Sequence, residues 1–216
     1  MAEKEQFTYA LDVPVATIYT GTLITAKAFK KDGKDKGEPK FGATFLFKPD
    51  HQDWRPLKMR AADAAKSMRS DVDLASVKWP WANGDALANA AKAETKPRDR
   101  EFYRGFMVLR SRSIFAPVLA IRQNGIVELK TETAKLAAKE QYFYDGVLCG
   151  AQFNFKPYSR DDGGIGVTAY LNMVLSTGEG VKIQMPKSGP SVVDVFKSYA
   201  GRSTQVDPGV NAADEF

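Results

Sequence analysis

The chain has 216 residues, 44% of them hydrophobic and 26% charged, which excludes wholesale disorder and suits one domain carrying large insertions. No run of 18 apolar residues occurs, the start MAEKEQF is charged, and the single cysteine, Cys149, has no disulfide partner. A soluble, intracellular chain without a transmembrane helix or secretory signal is therefore expected. The 31 Lys and Arg against 26 Asp and Glu divide unevenly: residues 203–216 carry only Asp207, Asp214 and Glu215, so a body of +8 precedes a tail of −3. Such a body suits an anionic partner, nucleic acid first, although charge of this size also serves solubility.

Taken in chain order, Thr17–Ala28 is rich in β-branched residues and reads as a long strand. KKDGKDKGEPK follows as a flexible lysine-rich loop. FGATFLFK then places Phe41, Ala43, Phe45 and Phe47 on one face with a period of two. Over 55–69 the period changes: Leu57, Ala61, Ala64, Ala65 and Met68 recur at helical spacing behind Pro56. A WPW break and a second short helix complete an insertion at about 55–95.

Strands resume with FYRGFMVLRSRSIF (102–115), and PVLAIRQNGIVEL contains Asn124-Gly125, a strong hairpin signal. TETAKLAAKE (131–140) reads as a helix, FYDGVLCGAQFNFKPY as a long strand bending at Gly146 and Gly150. Asp161-Asp162-Gly163-Gly164 turns the chain into GIGVTAYLNMVLSTG, another long strand. A short helix at 190–199 and a disordered segment from Gly201 to Phe216 are expected. Long, glycine-kinked strands with helices inserted between them suit a curled five-stranded OB-fold barrel, mainly β, with a two-sheet sandwich as the other solution. The expected division is an N-terminal arm at 1–14, the OB-fold domain at 15–200 and an acidic tail at 201–216.

Signals for catalysis are sparse. His51 is the only histidine and Cys149 alternates with core-facing residues, so a zinc site or a Cys-His nucleophile is not supported. Asp161 and Asp162 suggest a hairpin tip before they suggest a metal-binding pair. No catalytic residues, cofactor or metal are therefore expected. Binding signals agree better. Arg104, Phe106, Arg110 and Arg112 share one side of an alternating segment whose other side carries Met107 and Leu109. Tyr142, Tyr144, Gln152, Asn154, Lys156 and Tyr158 share a parity opposite to Phe153 and Phe155. Cations that track phosphates, beside rings that stack on bases at about 1–3 kcal/mol each, are what sequence-tolerant single-strand binding needs. Trp79 and Trp81 read as a cover over the barrel before they read as a stacking edge.

FGATFLF, FYRGFMVLRSRSIFAPV and FYDGVLCGAQFNFKPYSRDDGGIGVTAYLNMV, in this order, resemble the bacteriophage OB-fold single-stranded-DNA-binding proteins, formerly a domain of unknown function. The resemblance spans roughly residues 15–185, and the ending VNAADEF is similar to the tails of replication single-strand binders. It implies non-enzymatic single-stranded DNA binding in phage replication, recombination and repair, in the cytoplasm of an infected bacterium. It places Lys30, Lys31, Lys34 and Lys40 in the first strand-connecting loop, which closes over nucleic acid in OB-folds. It gives Asp214, Glu215 and Phe216 a role in competing with DNA or docking phage or host replication proteins, and allows self-association along DNA. The sequence leaves two other classes open: a metal-dependent nuclease on Asp161, Asp162 and nearby acids, and a self-assembling structural or virion β-protein.

Overall fold

The computed structural model describes residues 7–31, 34–94 and 100–184, and over 29–31 and 34–36 its backbone alone. The expected helix at 190–199 and the tail, with Asp214, Glu215 and Phe216, lie outside the described residues.

Five strands form the frame: β2 (Val15–Ile18), β4 (Lys34–Phe47), β6 (Met107–Ser113), β9 (Val147–Ser159) and β10 (Ile165–Gly180). β2 pairs antiparallel with β4, β4 with β6, β10 with β9 and β9 with β2, while β6 and β10 are parallel. The strands therefore close a ring whose first, second, third, fifth and fourth members are neighbours in turn. That is the strand order of an OB-fold. The ring's interior takes the odd positions of the phenylalanine strand, as its alternation demands: Phe45, Phe47, Phe153 and Phe155 are fully buried, with Phe45 and Phe153 edge to face at 4.9 Å.

The remaining elements hang on this ring. β1 (Thr8–Ala10), within the expected N-terminal arm, pairs with β9. Helix α2 (Trp54–Met68) buries Leu57, Ala61, Ala64 and Ala65, as its spacing predicts, but Met68 is exposed beyond the last turn in contact with the core. α3 (Gly84–Lys92) is capped by Asn83 Oδ1 on the Ala86 N–H, and α4 (Glu132–Tyr142) by Thr131 Oγ1 on the Ala134 N–H. β7 (Val118–Arg122) and β8 (Ile126–Glu128) form the hairpin that Asn124-Gly125 predicts, Asn124 and Gly125 both adopting positive φ.

Two expectations are corrected. The long strand over Thr17–Ala28 is broken: β2 ends at Ile18, Tyr19 takes φ 58°, and a one-turn helix, α1 (Gly21–Ile24), buries Leu23 and Ile24. The break is held from a distance, since the buried Thr20 hydroxyl donates to the Phe143 carbonyl and its N–H to Asp145 Oδ1. The lysine-rich segment is not a loop but a two-stranded ribbon, in which β3 (Lys27–Lys31) pairs with the first half of β4, Lys31 opposite Lys34.

The helical insertion also supplies a strand. Lys78 N–H donates to the Ile165 carbonyl and the Val167 N–H to the Lys78 carbonyl, so Lys78 bridges to β10. Two residues on, the Arg110 N–H donates to the Pro80 carbonyl, and β5 (Trp81–Asn83) pairs with β6. β6 and β10 share only the Ser111–Ala169 pair. The segment 78–83 therefore fills the open seam between the two parallel strands.

Candidate nucleic-acid interface

The seam strand decides where side chains meet. Register places Arg110 and Arg112 of β6 on the outer face, flanking the inward Ser111, whose hydroxyl donates to the Ala169 carbonyl. Across the seam, Thr168 and Tyr170 of β10 point the same way as their partners Lys156 and Asn154 on β9. Lys40 is exposed and shares the outward parity of Gly42, which lies opposite Arg112.

Between these strands lies a groove of about 410 Å³ lined by Lys78, Trp79, Trp81, Arg110, Arg112, Tyr158 and Thr168, among others. Its aromatic wall is preformed. Trp79 and Trp81 stack with centroids 4.8 Å apart and planes within 8°, and Trp54 backs Trp81 edge-on at 5.6 Å. Both indoles are half-buried against the core, Trp81 sharing the inward parity of its partner Leu109, and part of each lines the groove. Tyr158 also lines the groove, its phenol end lying across Gly166: a Cβ built there would sit 2.3 Å from the tyrosine Cζ. Lys156 Nζ stands 5.1 Å from the Tyr170 ring centroid.

The cations of this groove are available. Neither Arg110 nor Arg112 is ion-paired with a described carboxylate, and both are exposed. The neighbouring β9–β10 turn closes on itself: Asp162 pairs with Arg160 at 2.6 Å and accepts the Gly164 N–H, and Gly163 takes φ 77°. Asp161 and Asp162 are thus a hairpin tip, as read from the sequence. Among the described residues no three His, Cys, Asp or Glu side chains are grouped to hold a metal ion.

The groove lies along the ring's third strand, beside the turn between its fourth and fifth strands. These are the places where OB-folds hold oligonucleotides. No family model matches the sequence, and no curated protein sequence matches it. Solved structures do. The single-stranded DNA-binding protein from bacteriophage Enc34 in complex with ssDNA aligns over 82% of this chain and 89% of its own, at 16% identity and TM-score 0.59. The same protein without the complex covers 89% of both chains at 17% identity and TM-score 0.57. This chain has the fold of a phage single-stranded-DNA-binding protein.

Within that fold the sequence-derived residues separate into two groups. Arg110, Arg112 and Tyr158 line the groove, while Asn154, Lys156 and Lys40 lie on the same outward face. Lys30, Lys31 and Lys34 belong to the ribbon backbone, their side chains outside the described residues.

Arg104 and Phe106 precede β6 rather than lie on it, because Gly105 takes φ 75° and resets the alternation. Arg104 is committed elsewhere, ion-paired to Glu101 and Asp85 and donating to Asn89 Oδ1. Its guanidinium, with the Lys92 ammonium, holds the Glu101 carboxyl below the usual carboxylate range. Tyr142 and Tyr144 are corrected in the same way. Tyr142 ends α4 and Tyr144 lies in the loop before β9, where Gly146 at φ 99° interrupts the period. The Tyr144 hydroxyl is within hydrogen-bond distance of the Gly178 and Gly180 carbonyls, far along β10 from the groove.

Sequence reasoning missed Lys78, Thr168 and Tyr170, and read Trp79 and Trp81 as cover. They both cover and line. The WPW tripeptide was the visible signal, but its position in the seam depends on hydrogen bonds to strands far along the chain.

Proposed function

We propose that this chain binds single-stranded DNA with little base preference and catalyses no reaction. The observation that carries the reading is the groove: a stacked indole pair, a tyrosine and two guanidiniums that no described carboxylate pairs line one depression on the OB-fold. Bases of any identity stack on the rings, while Arg110, Arg112, Lys78 and Lys156 track the phosphates and release counterions. The shared fold with a protein solved in complex with ssDNA supports the same conclusion.

Replication, recombination and repair of phage DNA in the host cytoplasm are the processes that present such a substrate. The lysines at 30, 31, 34 and 40 extend the phosphate track along the ribbon. In the tail, Asp214, Glu215 and Phe216 compete with DNA for the basic face or dock replication partners.

The test is affinity for oligo(dT) measured against salt. Replacing Arg110 and Arg112 by Ala together is expected to reduce the slope of log K against log salt by about 1.4, two phosphates at ~0.7 each on a single strand. Replacing Trp79 and Trp81 by Ala is expected to weaken binding with the slope unchanged. An Arg pair that leaves the slope intact would refute the assignment.

A further inference from the structure

The outward face does not end at β10. β7 pairs parallel to it, Val118 opposite Met173, and β8 ends the strand order, no described residue pairing with its far edge. That edge is three residues long and carries one charge, Glu128; it holds no proline, and Ile126 and Val127 are 73% and 44% exposed.

Its hydrogen-bonding register is fixed. The Leu129 N–H donates to the Leu119 carbonyl, so the odd residues of β8 face β7, Val127 opposite Ile121. Ile126 and Glu128 are the alternating members, and their N–H and C=O groups point outward from the free edge. An edge with groups at two positions flanking one residue is complementary to itself. About a dyad at Val127, Ile126 of one copy pairs with the partner's Glu128, and Glu128 with the partner's Ile126.

Charge agrees with this register. Arg122 lies opposite Ile126 on the outward face, so the row across the dyad reads Arg122, Ile126, then the partner's Glu128, a span of roughly 10 Å that the two long side chains bridge. Neither Arg122 nor Glu128 is ion-paired with a described residue.

We propose that the β8 edge joins two copies of this chain, antiparallel about Val127, with Arg122 paired to the partner's Glu128. The dyad stands normal to the sheet, so the outward faces of both copies lie on one side of the continuous sheet. The interface involves neither the groove nor DNA, and is tested without it.

Sedimentation velocity of the full chain without DNA, from about 5 to 500 µM, is expected to show a monomer–dimer equilibrium. Ile126→Pro removes an N–H that faces away from β7 and is expected to abolish the dimer, its melting curve confirming the fold. Arg122→Glu or Glu128→Arg alone should weaken association roughly tenfold, and the two together should restore it. A monomer at every concentration, a dimer indifferent to Ile126→Pro, or a charge swap without rescue would each overturn the proposal.

Discussion

Gly166→Ala should move stability and DNA affinity in opposite directions. The strand at Gly166 has no positive φ, so alanine is conformationally acceptable there and removes the entropic disadvantage of glycine, about 0.5–1 kcal/mol. The obstacle is the Tyr158 ring, with Cζ at 2.3 Å, Oη at 2.5 Å and Cε1 at 2.6 Å from the added carbon. These atoms are the far end of a side chain 37% exposed, which can swing into solvent at little cost. Swinging away dismantles one wall of the groove. The variant is therefore expected to melt at the same temperature or up to roughly 4 °C higher, and to bind oligo(dT) roughly 5- to 150-fold more weakly, the ~1–3 kcal/mol of one stacked base. A double-mutant cycle is decisive: once Tyr158→Ala has removed the ring, Gly166→Ala should cost nothing further. Additive losses, or unchanged affinity in the single variant, would refute the placement of Tyr158 in the binding surface.

Other consequences are as direct. Arg104→Ala should leave DNA affinity within roughly twofold, because its guanidinium serves Glu101, Asp85 and Asn89. Tyr144→Phe should leave affinity intact and lower the melting temperature slightly, through the lost bond to the Gly178 or Gly180 carbonyl. Asp53 is buried and accepts from the Tyr9 hydroxyl at 2.6 Å and the Val13 N–H at 3.0 Å, tying β1 and the residues after it to the start of α2. Asp53→Ala should cost about 1–3 kcal/mol in thermal unfolding, with oligo(dT) binding retained by the folded protein. Burial pushes the Cys149 thiol up to about 12. The native thiol should therefore resist alkylation at pH 8, and stability should fall as pH rises from the unfolded value near 9 toward 12, where only the unfolded chain releases the proton.

What could be read from the sequence was local. FGATFLF declares its inward face because the pleat has a period of two and one side is wholly phenylalanine and alanine. α2 follows from helical spacing, α4 from the segment TETAKLAAKE, and both the Asn124-Gly125 and Asp161–Gly164 turns from residues that tolerate positive φ. Parity failed where it was carried past a strand's end. Gly105 and Gly146, both at positive φ just before β6 and β9, reset the alternation, so Arg104, Phe106, Tyr142 and Tyr144 fell off the face assigned to them. The break at Tyr19 and the seam strand at Lys78–Asn83 depend on partners far away in sequence: Phe143 and Asp145 for one, Ile165, Val167 and Arg110 for the other. No local pattern encodes such contacts, which is why the indole wall of the groove was visible as WPW but not as a wall.

The central claim meets its most direct test in a titration of the intact chain with oligo(dT) and with a duplex of equal length, following tryptophan fluorescence at two salt concentrations. Stacking on Trp79 and Trp81 predicts quenching by the single strand, tighter binding to it than to the duplex, and marked weakening at higher salt. Equal affinity for both forms without quenching would contradict the stacking groove and leave a surface that reads phosphates alone.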